Sequence, residues 1–138
     1  MTVRTQSREQ KQTILHLLKE TGGKDVIKGG GHLFKLHDFG FRGVSSVESA
    51  AVGGLGHLVD FLGTDTMAAL VCAKHYYGES ICGFSIPTAE HSTMTSWTEP
   101  PEKDAFKNML DQYPKGIVAC DSYSHDIYSA CEQYWGRT

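Results

Sequence analysis

Four short apolar runs recur along the chain, at residues 33–39, 59–62, 83–87 and 117–120, and stretches with helical spacing separate them. Strands that alternate with helices pair side by side in parallel, with the helices packed outside. Each crossover of that kind is right-handed. The alternation therefore predicts an α/β fold: one leading helix, then about four strand–helix units.

The helices can be bounded from local chemistry. Ser7-Arg8-Glu9-Gln10 has the form of a capping box, and Ile14, Leu17 and Leu18 repeat at helical spacing until Thr21-Gly22. Ser45 or Ser46 caps a second helix from Val47 to about Val59, which contains Gly53, Gly54 and Gly56. A glycine inside a helix costs up to about 1 kcal/mol against alanine, so close packing is the expected reason for keeping three. Residues 67–77 form a small-residue helix stopped by Gly78. Residues 102–113 form another, introduced by Pro100-Pro101, with Ala105, Phe106, Met109, Leu110 and Tyr113 on one face. Residues 127–135 form the last, stopped by Gly136.

Composition narrows the function classes. The chain has 138 residues, 40% hydrophobic and 21% charged, which fits one ordinary soluble domain. Thirteen basic and 16 acidic residues give a net charge of −3 without a basic stripe or polybasic run, so neither nucleic acid nor a membrane is an expected partner. The N-terminal residues lack a signal-peptide apolar core, and the expected location is cytoplasmic. Cys72, Cys82, Cys120 and Cys131 are not spaced as CxxC and read as reduced, mostly buried thiols. Seven histidines are scattered without HxxxH or HxH pairs, so no residue is assigned to a metal.

Polar residues that look out of place follow the predicted strands: Asp38 to Arg42, Thr64-Asp65-Thr66, Ser85 with Glu90-His91-Ser92, and Asp121-Ser122-Tyr123. In parallel α/β folds that edge carries the active site. Arg42, in a glycine-flanked turn before a helix, suits a phosphate, and equally a surface pair with Glu48. Asp65 fits a helix N-cap as well as a ligand-facing carboxylate. Phe39 and Phe41 read equally as ordinary core residues, and one of them is expected in the core. Asp121 suits a turn cap, and Asp38 a lysine partner. His91 stands between Glu90, able to orient its ring, and a run of hydroxyls. A nucleophilic histidine needs that arrangement, though a solvated loop histidine shares it.

The stretches TQSREQK, FKLHDFGFRGVSS, GHLVDFLGTDT, GFSIPTAEHSTMTSW and EKDAFKNML, in this order, resemble the nicotinate/nicotinamide phosphoribosyltransferase family, on its nicotinamide phosphoribosyltransferase side. The resemblance covers nearly the whole chain. It implies formation of nicotinamide mononucleotide and pyrophosphate from nicotinamide and phosphoribosyl pyrophosphate. It also implies ATP that transiently phosphorylates a histidine, Mg2+ accompanying the phosphates, and a homodimer with active sites at the subunit interface. Carried over position by position, Phe39 resembles the aromatic that stacks on nicotinamide, and Arg42 the arginine that contacts phosphate. Asp65 resembles the aspartate that bonds the carboxamide, Ser85 a pocket serine, and His91 the phosphorylated histidine. Glu90 is inferred to orient His91.

Two departures qualify the resemblance. The family motif Asp-Ser-Tyr-Asp-Ile-Tyr is interrupted here by Ser124-His125. The chain is also short for a (β/α) barrel, which takes about 250 residues. The expectation is a single incomplete domain over residues 1–138, a partial (β/α) barrel with parallel strands and outer helices. It would be the N-terminal half of a family member's barrel, and so a fragment. Two alternatives stand beside it: a nicotinate phosphoribosyltransferase, and an inactive truncated paralogue that binds a full-length subunit.

Overall fold

Residues 2–22, 24–97, 102–122, 127–133 and 135 are described by the computed structural model, in which the chain falls into two units, Met1–Ser85 and Ile86–Thr138. The expectations placed on Pro100-Pro101, on the Ser124-His125 insertion and on Gly136 lie outside the described residues.

The first unit opens with helix α1, Thr2–Thr21. The capping-box reading fails here: Ser7 lies inside α1 and is buried. No glycine or proline interrupts residues 2–6, so the helix runs through them. The small Ser7 side chain turns inward instead, lining the same cavity as Gly53 and Gly54. A short helix, α2, follows at Lys24–Lys28. Gly30 then takes a left-handed φ of 75°, which glycine adopts without strain, and leads into a 3₁₀ turn over Gly31–Phe34.

Only His37–Asp38 of the predicted strand 33–39 is extended, as β1, because the 3₁₀ turn takes Leu33 and Phe34. A second 3₁₀ turn, Gly40–Gly43, takes the residues after it. Phe39 and Phe41 are both exposed, at 40% and 46%, and neither joins the core, because β1 ends at Asp38 and the turn after it carries them.

Helix α3, Val47–Leu58, starts where expected, with the Ser46 hydroxyl accepting the Ser49 amide at 3.0 Å. Strand β2 is Gly63–Thr64, just past the predicted run, since residues 59 and 60 prolong the turn out of α3. It pairs in parallel with β1, His37 opposite Gly63 and Asp38 opposite Thr64, and Phe84 adds a parallel bridge on Gly63. Helix α4, Met67–Cys72, continues as a π-helical turn, Ala73–Tyr77, and stops at Gly78 with φ 70°.

Close packing explains Gly54 and Gly56 of α3 but not Gly53, where a Cβ would meet only Val3 Cγ2 at 3.8 Å. A Cβ on Gly54 would stand 2.6 Å from the Ala69 Cβ of α4, and one on Gly56 3.2 Å from the Arg4 amide nitrogen of α1. The buried residues here are mostly small, Ala50, Ala51, Ala69 and Ala73 around Phe61. His57 is buried too; its Nε2 donates to the Gly63 carbonyl at 3.0 Å and its ring stacks on Phe61, tying the end of α3 to β2.

In the second unit, Thr88 and Ala119 form a parallel bridge in place of longer strands. Helices α5 (His91–Ser96), α6 (Glu102–Gln112) and α7 (Ile127–Gln133) complete it. Its core is Ala89, Met94, Ala105 and Phe106, with Met109 and Cys120 against it. Leu110 and Tyr113 stay largely exposed. The four cysteines are free, but none is fully buried: Cys131 is exposed and the other three are half-buried. No described helix is long and apolar enough to cross a membrane.

Candidate functional site

The ligand-facing candidates of the first unit cluster where β1 and β2 end. Asp65 follows β2 directly, and its amide donates to the Asp38 carbonyl at 2.9 Å, so the paired strands fix its backbone. It does not cap α4, whose N-cap is Thr66. Its carboxylate Oδ1 instead accepts the Ser85 hydroxyl, from a residue 20 positions away, and lies 3.2 Å from His37 Nε2. The His37 ring packs against Phe39, with centroids 4.6 Å apart and planes inclined by 31°. Phe39, His37, Asp65 and Ser85 thus form one contiguous set, three of them expected from sequence.

His37 was missed because it read as strand body, one position before the polar run Asp38 to Arg42. Asp38, for which a lysine partner was one reading, bonds within its own turn instead. Its Oδ1 accepts the Gly40 amide at 2.8 Å, and its Oδ2 lies 3.4 Å from the Thr64 hydroxyl. Asp38 therefore shapes the turn that presents Phe39 and Arg42. A hint was present in the sequence: an aspartate two residues before a glycine is an Asx-turn pattern. Arg42 is exposed in that turn, and no ion pair joins it to Glu48. The surface-pair reading of Arg42 is not realised.

Burial holds the His57 imidazole below its ordinary value of 6.5, against the Gly63 carbonyl, which favours the protonated ring. A neutral ring carrying its proton on Nε2 satisfies both the burial and the carbonyl. His57 lines the cavity beside His37 and Asp38, a space of about 510 Å³.

In the second unit, Glu90 is the N-cap of α5, a helix that sequence periodicity did not show. Its Oε2 accepts the Ser92 amide at 2.8 Å and the Ser92 hydroxyl, while its Oε1 lies 2.7 Å from His91 Nδ1. The Ser92 donors, more than the neighbouring imidazole, hold the Glu90 carboxyl below the usual carboxylate range. His91 is thus engaged at Nδ1 by an ionised carboxylate, the arrangement that makes the other ring nitrogen a better nucleophile. Ser122 accepts the Trp135 indole N–H at 2.9 Å, which gives it a packing role. Among the described residues no group of three or more His, Cys, Asp or Glu side chains is placed to hold a metal ion.

Comparison with known proteins bears on the same segments. Residues 34–138 match the model of the nicotinate phosphoribosyltransferase (NAPRTase) family. The chain is similar to the nicotinamide phosphoribosyltransferase of Xanthomonas campestris pv. campestris, with 51% identity over all of this chain and 29% of that protein. The enzyme of the same name from Acinetobacter baylyi is 34% identical over 96% of this chain and 26% of its own length. That of Mycoplasma pneumoniae is 35% identical over 69% of this chain and 19% of its own length. The chain thus spans less than a third of the length of these curated relatives.

Proposed function

The chain belongs to the nicotinate phosphoribosyltransferase family, and from that premise we propose that it is the first part of the catalytic barrel of a nicotinamide phosphoribosyltransferase of NAD salvage. The reaction joins the pyridine nitrogen of nicotinamide to the anomeric carbon of phosphoribosyl pyrophosphate as the bond to pyrophosphate breaks. Such transfers pass through an oxocarbenium-like state, so the protein's work is to place the base and stabilise the leaving charge.

The observation that carries the reading is the Asp65 carboxylate, which accepts the Ser85 hydroxyl and lies near His37, whose ring packs against the exposed Phe39. An ionised carboxylate only accepts hydrogen bonds. It takes a carboxamide N–H and repels a second carboxylate, which favours nicotinamide over nicotinate. Phe39 offers a face for the pyridine ring, and Arg42 a fork of donors for a phosphate. The competing reading, transfer to nicotinate, rests on the name of the family.

His91 serves as phosphoryl acceptor from ATP. Glu90 holds Nδ1, Nε2 forms the new bond to phosphorus, and ADP leaves. Mg2+ is expected with the phosphates, and among the described residues no cluster of three or more His, Cys, Asp or Glu side chains is placed to hold it. The working form is a homodimer.

The test is nicotinamide binding, measured by calorimetry against nicotinic acid, with product formation and labelling from γ-labelled ATP. The parent should prefer nicotinamide, and Asp65→Asn should lose that preference. Label should enter the parent and not His91→Ala. Equal nicotinamide binding by parent and Asp65→Asn refutes the role of Asp65, and a preference for the acid refutes the substrate.

A further inference from the structure

We propose that His57 is a positioning residue for the ligand site: by closing the chain between α3 and β2, it fixes the point at which β2 delivers Asp65. The ligand in question is the one assigned above, so the inference rests on the nicotinamide reading of that site. His57 holds both ends of one short loop. Its backbone carbonyl accepts the amides of Asp60 and Phe61, each at 3.0 Å. Its Nε2 donates to the Gly63 carbonyl, also at 3.0 Å. Its ring stacks on the fully buried Phe61, with centroids 5.3 Å apart and planes inclined by 21°. Residues 57–63 are thereby closed into a ring through a single side chain.

Gly63 is where that ring meets the site. It pairs with His37 of β1 and bridges to Phe84, the residue before Ser85. Gly63 and Thr64 are buried, and Asp65 is the first exposed position after them. The Thr64 amide donates to the Phe84 carbonyl and the Asp65 amide to the Asp38 carbonyl, both at 2.9 Å. A shift of Gly63 is therefore carried to Asp65 and to the segments that bear Ser85 and Phe39. A ladder two residues long has few bonds of its own, so one side-chain bond to its first carbonyl is a large share of what seats it. An apolar side chain at position 57 would fill the space against Phe61 without that bond. Binding groups held by their supporting residues meet a ligand without rearrangement. The titratable groups that act on the ring are Asp38 and His37 of β1 and Asp60 of the turn after α3. From α1, the cavity that His57 lines is faced by Val3, Gln6, Ser7 and Gln10, which carry no charge. A protonated ring would bring its charge against Phe61, so acid works against the closed loop.

Packing alone would account for a ring at position 57, so the test separates the ring from its N–H. His57→Phe keeps the stack on Phe61 and removes the donor; His57→Gln keeps a donor for the Gly63 carbonyl. Nicotinamide affinity is measured by calorimetry on the 138-residue chain for the parent and both variants, at about pH 7.5 and about pH 5.5, on either side of the ordinary histidine value. At the higher pH it should fall about fivefold in His57→Phe, the factor one net hydrogen bond carries, and largely stay in His57→Gln. At the lower pH the parent should lose more affinity than His57→Gln, which retains His37 and lacks only the ring at 57. Affinity kept in His57→Phe, or lost equally in both variants, overturns the proposal and leaves the nicotinamide reading standing. A parent that binds no nicotinamide overturns that reading, and the ligand role of His57 with it. The backbone ¹H–¹⁵N spectrum decides the positioning without a ligand and without the phenylalanine variant. The Asp65 amide signal should move with pH in step with the His57 ring and lose that dependence in His57→Gln. An Asp65 amide that titrates identically in the parent and His57→Gln overturns the positioning role.

Discussion

Two adjacent glycines of α3 should respond to the same substitution with opposite signs. On Gly53, an added Cβ meets only Val3 Cγ2 at 3.8 Å, an ordinary contact. On Gly54 it meets the Ala69 Cβ at 2.6 Å, the Asp38 Oδ2 at 3.0 Å and Thr66 Cγ2 at 3.3 Å. Ala69 is fully buried in α4, and a Cβ cannot rotate out of the way, so α4 must move against α3. Replacing a helical glycine by alanine gains about 1 kcal/mol from the backbone. Overpacking costs about 1–3 kcal/mol, and the upper part of that range applies where neither atom can yield. Gly53→Ala should therefore be more stable than the parent by up to about 1 kcal/mol, and Gly54→Ala less stable by about 2 kcal/mol. With a urea dependence of about 1–3 kcal/mol/M, the two midpoints should lie roughly 1–3 M apart. Far-UV circular dichroism is the right probe, because both tryptophans, Trp97 and Trp135, belong to the second unit. Equal midpoints, or a Gly54→Ala chain more stable than the parent, would refute the packing argument.

The buried His57 makes a pH prediction. Its folded value lies below 6.5, so between that value and 6.5 the unfolded chain binds the extra proton. The contribution is whole above about pH 6.5 and is lost as the pH falls toward the folded value. Urea midpoints should drop between about pH 7.5 and about pH 5 in the parent, with a shallower drop in His57→Gln. An unchanged slope would show that other groups dominate. Thiol chemistry gives the second. Burial pushes the Cys82 and Cys120 thiols up, and the nearby Glu79 and Asp121 carboxylates push the same way, whereas Cys131 is exposed. Iodoacetamide followed by peptide mass spectrometry should find Cys131 alkylated first. Earlier labelling of Cys82 or Cys120 would contradict the burial assigned to them.

Helices with strong boundary chemistry were legible in the sequence: Ser46 capping α3, Gly78 ending the π turn after α4, Glu102 opening α6. Strands were legible only as places where the chain becomes extended. Their apolar runs promised four to seven residues, yet the ladders hold two at β1 and β2 and single bridges elsewhere. Pairing depends on partners distant in sequence, which apolar content does not reveal. Helix α5 escaped notice because serine and threonine fill it and its cap is a glutamate, a less usual capping residue. Candidate site residues were picked by their place after apolar runs and by motif resemblance. The contact between Asp65 and Ser85, and the histidine beside it, required the three-dimensional arrangement.

The two-residue ladder of β1 has a consequence for how this segment can vary in length. His37 and Asp38 are neighbours with different duties: one touches Asp65 and Phe39, the other the Gly40 turn and Thr64. Successive strand residues face opposite ways, so a slip of a single position would exchange those duties. Asp38 would then meet the space that Gly63 leaves for an imidazole, and His37 the narrow gap beside Gly54. Insertions or deletions in the 3₁₀ turns flanking β1 are therefore tolerated only if the ladder re-forms in its original frame. A deletion scan across residues 31–43 would map the frame directly, by showing which lengths still yield a folded chain.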